Sequence, residues 1–165
     1  QSWWDVLAAH LERSRARIAA AGLFDPSLAG QLAASMQARR DEIGAVAATP
    51  FLHDTTTKNV IVTADGAFSG IVDVDDLCYG DPRYVVALTA ASLLSMHVGT
   101  HYTDHWLQRT GRPNDSLFRL YVALFLLDFM SEHGQRFNGN ERPSTERDRK
   151  RLQALLADTL AASRA

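Results

Sequence analysis

Residues 51–82 read FLHDTTTKNVIVTADGAFSGIVDVDDLCYGDP, and here the chain changes character. On either side the apolar residues recur at helical spacing. Within this stretch they gather into two short runs, NVIV and GIVDV, separated by the turn-forming ADGAFS. Antiparallel pairing of the runs predicts a β-hairpin with a three-residue loop centred on Gly66. In that register Ile61 lies opposite Ile71 and Asn59 opposite Asp73, with Cβ atoms about 5 Å apart on one face. A two-residue loop at Asp65 and Gly66 would slip the register by one and send the two polar side chains to opposite faces. NVIV has the composition of a buried strand, so the polar residues crowded ahead of it need a reason.

The donor chemistry supplies one. An amide oxygen beside a carboxylate is a poor zinc site but suits Mg²⁺, which takes one or two protein oxygens and completes its octahedron with water and phosphate. Asn59 and Asp73 are therefore the candidate metal residues. Asp54 stands five positions before Asn59, in a segment that can curl back to the same mouth, and can accept a hydrogen bond from a hydroxyl.

The rest of the chain predicts helices. Residues 2–21 place Trp4, Leu7, Leu11 and Ile18 on one face and Glu12, Arg13, Arg15 and Arg17 on the other. Gly22 stops that helix, Asp25 and Pro26 start the next, and residues 26–47 are again helical. Helical spacing resumes after Pro82, pauses at Gly99 and continues to the loop GRPND. Residues 115–133 form the most apolar helix and belong at the centre, and a charged amphipathic helix starts near Ser144. The expected fold is mainly α with one small β-hairpin, an α+β domain in three parts: a helical hairpin over 1–48, the loop and hairpin over 50–82, and a helical part over 83–165.

Composition narrows the functions. The chain has 165 residues, 46% of them hydrophobic, which is enough for a core of its own. A formal charge of −2 gives no global field toward nucleic acid or an anionic membrane. The single Cys78 allows no internal disulfide, and no apolar run approaches a membrane span, so a cytoplasmic setting is expected. The first residue is Gln rather than Met, as in a processed chain or a piece of something larger.

The spacing of these residues resembles a known family. HDTTTKN is similar to the catalytic loop of kinase-like phosphotransferases, in which an Asp is followed five positions later by a metal-binding Asn, as Asp54 and Asn59 are. IVDVDDLCYGDP resembles the next element of the aminoglycoside phosphotransferase and choline kinase group, where a metal-binding Asp follows an apolar strand and Gly-Asp-Pro follows shortly after. Asp73 matches that Asp, and Gly80, Asp81 and Pro82 match the tripeptide. The resemblance implies the helical C-terminal lobe of a protein-kinase-like fold and transfer of the γ-phosphoryl group of ATP, with Mg²⁺, to a hydroxyl of a small acceptor. Asp54 would orient that hydroxyl and take its proton, Asn59 and Asp73 would hold the metal, and Lys58 is the candidate γ-phosphate contact. Asp81 has a structural role in this reading, capping the helix that starts at Pro82.

The chain also departs from the pattern. The family's His two residues before the Asp is Leu52 here, with His53 next to Asp54, and Val85 replaces an acid after Gly-Asp-Pro. No GxGxxG loop and no strand Lys with a helix Glu are found, so the N-terminal nucleotide lobe is expected to be absent and the chain to have little activity alone.

Other features have plainer readings. Asp128 and Glu132 are four apart on the apolar helix and either pair with Arg119 or Arg136 or, with Asp75 and Asp76, line a pocket for a cationic acceptor such as an aminoglycoside. His97, His101 and His105 have the spacing of metal ligands on a helix, but Gly99 and Thr100 break it. DVDD also resembles glycosyltransferase and phosphohydrolase motifs, whose folds alternate strands and helices. Trp3, Trp4 and Trp106 would pack in the core or against a second lobe, leaving an apolar face able to drive self-association. The rival to a kinase is a non-catalytic helical module of kinase ancestry, used for binding or assembly.

Overall fold

The computed structural model describes residues 2–53, 59–75, 77–135 and 144–164. Its elements follow in the order α1 (Trp3–Ala21), α2 (Ser27–Gln37), α3 (Arg40–Gly44), β1 (Thr49–Leu52), β2 (Val60–Val62), β3 (Phe68–Ile71), β4 (Leu77–Gly80), α4 (Arg83–Ser95), α5 (His101–Arg109), α6 (Ser116–Glu132) and α7 (Glu146–Arg164). The mainly helical α+β class expected from the sequence is what the chain adopts.

Local chemistry sets the helix limits. Ser2 and Asp5 form a reciprocal capping box on α1, the Ser2 hydroxyl accepting from the Asp5 N–H and the Asp5 carboxylate from the Ser2 N–H. Gly22 ends that helix in the left-handed region, φ 64°, where a side chain would be strained. Asp115 caps α6 by accepting the Phe118 N–H at 2.9 Å. The helix pattern over 26–47 resolves into two pieces, α2 and α3, because the chain turns at Ala38 and Arg39.

Helix α6 is the centre of the fold. Leu117, Leu120, Tyr121, Leu124, Leu126, Leu127 and Met130 are buried round its whole circumference, as an all-apolar helix requires. Helices α1, α4 and α7 surround it. Trp3 belongs to this core: its ring packs edge-on against Phe51, Tyr84 and Tyr121, and its indole N–H donates to the Tyr121 hydroxyl at 3.0 Å. Trp4 and Trp106 are partly buried against the same core.

The β region differs from expectation in three ways. A second ladder exists: β1 pairs antiparallel with β4, from Thr49 opposite Gly80 to Leu52 opposite Leu77, and encloses the β2–β3 hairpin in sequence. The hairpin register is also shifted. Val60 lies opposite Ile71 and the Val72 N–H donates to the Asn59 carbonyl at 2.9 Å, so Asn59 faces Val72 instead of Asp73. The cause is local: Thr63 pairs with Ala67, Gly66 (φ 84°) is the last loop residue rather than its centre, and an irregularity between Ile61 and Val62 leaves Ser69 extra in β3. Finally, NVIV is not a buried strand. Ile61 is 46% and Phe68 68% exposed, so among the described residues exposed apolar side chains lie on the hairpin, on Leu77 and Tyr79 of β4 and on Met96, Val98 and Tyr102, and not on the tryptophans.

Candidate active site

The nested ladders organise the polar residues. The outer ladder ends at Leu52 and Leu77, and the inner one begins at Asn59 and Val72. Two connections therefore run between the same two pairs of residues, one over 53–59 and the other over 72–76. Asn59, Asp73 and Asp75 lie in them and are described. Asp54, Lys58 and Asp76 belong to the same connections in sequence but lie outside the described residues.

Asp73 is exposed, and its backbone is left-handed, φ 59°, a conformation that Asp and Asn tolerate better than other side chains. The strand alternation that would have carried Asp73 away from Asn59 after the register shift therefore stops at Val72. Asp75 is exposed as well. Among the described residues no group of three or more His, Cys, Asp and Glu side chains could hold a metal ion, and His97 falls outside α4 with φ 58°, so the three spaced histidines share no helix.

Gly-Asp-Pro anchors the end of β4 to the core. A Cβ on Gly80 would lie 2.3 Å from two carbons of the Trp3 ring, so only glycine allows that approach. The Asp81 carboxylate accepts the Arg83 backbone N–H at 2.9 Å, capping α4 as expected, and also binds the Arg83 guanidinium. Arg83 reaches on to Asp115 at 2.9 Å and to the Pro113 carbonyl. Burial opposes the charge on Arg83, but the two carboxylates hold it firmly protonated.

A second group gathers around Tyr84, and of its members sequence reasoning singled out Asp128 and His53 but missed Tyr84, His10 and Ser14. The His53 ring lies 5.8 Å from the Tyr84 ring at 30°. The Tyr84 hydroxyl meets His10 Nδ1, and His10 Nε2 faces Asp128 Oδ1 at 3.4 Å. Ser14 donates to the same oxygen at 2.8 Å, and Arg13 lies 4.0 Å away. Asp128 thus takes its partners from α1, while Arg119, one expected partner, donates to the Ala162 and Asn114 carbonyls. Arg136 lies outside the described residues. The signal was present in α1, where His10 and Ser14 interrupt an apolar stripe at helical spacing.

These partners set the acid chemistry. Burial pushes the Asp128 carboxyl up, but the His10 and Ser14 contacts and the Arg13 charge outweigh it and hold it below its ordinary value. Glu132 goes the other way, raised by burial and by the Asp128 charge against a smaller opposing effect of Arg17.

The described chain is thus a mainly helical α+β chain in which Gly-Asp-Pro ties the end of β4 to the core. The family model for the phosphotransferase enzyme family (APH) matches residues 1–121, and the chain belongs to that family. That span contains the Asp54 to Asn59 segment, Asp73 and Gly-Asp-Pro. No curated protein and no solved structure matches the chain.

Proposed function

We propose that the chain is the helical, acceptor-binding part of a small-molecule kinase that transfers the γ-phosphoryl group of ATP to a hydroxyl, with Mg²⁺ as the metal. The observation that carries this reading is the pairing of connections: Asn59 and Asp73 stand at the base of one hairpin, bound through the Val72 N–H to the Asn59 carbonyl. One amide oxygen and one carboxylate are hard donors that fit Mg²⁺ and leave positions for phosphate and water. When bound, the metal supplies neutralisation of phosphate charge.

In this reading the acceptor oxygen attacks phosphorus, the bond from phosphorus to the ADP oxygen breaks, and the hydroxyl proton passes to the Asp54 carboxylate. Lys58 is assigned to the γ-phosphate. Asp75, Asp76 and Glu132 give the acceptor side its negative charge, which suits an aminosugar or amino alcohol. Asp128 contributes charge to the same side, although its Oδ1 is already engaged by Ser14. Full-strength ATP binding is expected to require an N-terminal nucleotide lobe.

The test is phosphoryl transfer from γ-labelled ATP to a panel of aminoglycosides, choline and sugars, with and without Mg²⁺. Asp54→Asn should lower the rate by on the order of 10²–10⁴-fold, the usual contribution of a positioned base. Undiminished transfer by Asp54→Asn overturns the assignment. The exposed Ile61, Phe68 and Tyr79 favour a second reading, a non-catalytic binding or assembly module. That reading predicts no ATP turnover with any acceptor and self-association that Phe68→Ser abolishes.

A further inference from the structure

Tyr84 is the point at which the residue before Asp54 meets the helical core. One side of its environment is the His53 ring. The other is aromatic: Phe125 lies at 4.5 Å, Trp3 at 5.2 Å and Tyr121 at 5.9 Å between ring centroids. Tyr84 is buried, and among the described residues its hydroxyl meets His10 Nδ1.

The protons in this group have one consistent arrangement for a neutral imidazole. Burial, followed by the Asp128 charge, keeps the Tyr84 phenol protonated. A phenol that donates to Nδ1 needs a lone pair there, which places the imidazole proton on Nε2. Nε2 is the nitrogen that faces the Asp128 carboxylate, an acceptor only, and at 3.4 Å it has no closer partner among the described residues. In that neutral form Tyr84 donates to His10 Nδ1, Nε2 meets the Asp128 carboxylate at 3.4 Å as an electrostatic contact rather than a hydrogen bond, and Ser14 donates to the same carboxylate oxygen.

Such a line is a costly way to fill space. Buried polar groups are desolvated, and apolar side chains of similar volume commonly stabilise as well or better. What an apolar replacement would lose is direction, because a hydrogen-bonded hydroxyl fixes where the ring sits and a methyl group does not. The Asn59 end of the 53–59 connection is fixed by the Val72 N–H. The His53 end has the Tyr84 ring.

We propose that Asp128, His10 and Tyr84 are a line of positioning residues that holds the ring of His53, the neighbour in sequence of the proposed base Asp54. The part concerning Asp54 rests on the phosphotransfer reading. The part concerning His53 stands without it.

The test is made on the full chain. Imidazole signals are assigned in heteronuclear NMR spectra with His53→Gln and His10→Gln, and wild-type protein should show contacts between the His53 and Tyr84 ring protons. Tyr84→Phe, which removes one oxygen, and Asp128→Asn, which alters the far end of the line at His10, should both move the His53 signals. Where an acceptor supports turnover, both should lower kcat several-fold with KM for ATP unchanged, with kcat referred to the folded fraction measured by circular dichroism, because a smaller folded fraction alone lowers apparent kcat in the same way. Absence of ring contacts in the wild type overturns the proposal. So do His53 signals that superpose on the wild type in a variant whose His10 signals have moved. If Asp128→Asn does not fold, Tyr84→Phe decides by the same criterion. His53 signals that follow the variants in a chain whose transfer, however slow, Asp54→Asn leaves undiminished support the line and count against the phosphotransfer reading. Mg²⁺-dependent turnover with an unresponsive His53 overturns the line and leaves that reading in place.

Discussion

The Asp81 carboxylate, 4% exposed, is held by the guanidinium of Arg83 two residues on, with Nη2 at 2.7 Å from Oδ2 and Nε at 3.0 Å from the same oxygen. The Tyr121 hydroxyl donates to Oδ2 from α6 at 3.3 Å, the capping N–H of Arg83 donates to Oδ1, and Arg112 Nη1 lies 4.0 Å from Oδ1. A buried ion pair contributes little over apolar packing, yet removing one partner strands the other, at a cost of about 3–5 kcal/mol. Asp81→Ala should therefore lose stability of that order, and Asp81→Asn somewhat less because the cap survives. Urea denaturation of the chain measures this, and a loss below about 1 kcal/mol would show that Arg83 finds a sufficient partner in Asp115 alone.

Gly80 gives a second stability prediction with a different cause. The added methyl group of Gly80→Ala would meet the Trp3 ring carbons, which cannot move without disturbing the indole N–H bond to Tyr121. Overpacking of this kind costs about 1–3 kcal/mol. Near-ultraviolet circular dichroism should report the displaced indole before global unfolding does. Gly70→Ala, where an added Cβ meets nothing within 4 Å, is the control and should leave the Trp3 signal unchanged.

Which parts of this fold could be read from sequence follows from how local each determinant is. Helix α1 carries its own start and stop in Ser2, Asp5 and Gly22, and α6 declares its burial by composition. The hairpin turn is legible in Asp65 and Gly66, but its register depends on one extra residue at Ser69, which composition does not mark. The β1–β4 ladder is hidden because four-residue strands, one containing Pro50, have too little pattern to announce a partner so far along the chain. At the site, Asn59 and Asp73 are assigned from spacing and from a register in which they face each other, whereas the chain sets Asn59 opposite Val72. Tyr84, His10 and Asp128 come from α4, α1 and α6, and only tertiary packing brings them together.

The two acids of α6 should respond oppositely to pH. Asp128 has its folded pKa below its ordinary value, so its stabilisation is present above the ordinary carboxylate range and is lost as pH falls through the folded value. Glu132 has its folded pKa above 4.5, so its contribution is present below that pH and is lost as pH rises through the folded value. Asp128→Asn should destabilise the chain at neutral pH by about 1.5–3 kcal/mol, the range for hydrogen bonds to a charged group. The difference from wild type should shrink in acid. Glu132→Gln should raise stability at neutral pH and lose that advantage on acidification. Thermal denaturation of both variants across pH 3 to 8 checks the signs, and parallel curves for wild type and Glu132→Gln would show that Glu132 is not desolvated.

Asp73 allows a structural role and a metal-binding role to be separated by two substitutions at one position. Its left-handed backbone, φ 59°, is tolerated by Asn but costs Ala about 1–2 kcal/mol. Asp73→Asn therefore removes the charge and keeps the turn, whereas Asp73→Ala removes the charge and strains it. If Asp73 is a metal ligand, both variants should lose Mg²⁺-dependent ATP binding to the same extent, and only the Ala variant should show a lower urea midpoint. If Asp73 serves the turn alone, Asp73→Asn should match wild type in calorimetric titrations with ATP and Mg²⁺ as well as in stability. Because the side chain is exposed and the strain is confined to one residue, neither substitution disturbs the core around α6. Equal loss of metal-dependent binding in the two variants would then be a property of the missing carboxylate and not of a damaged fold.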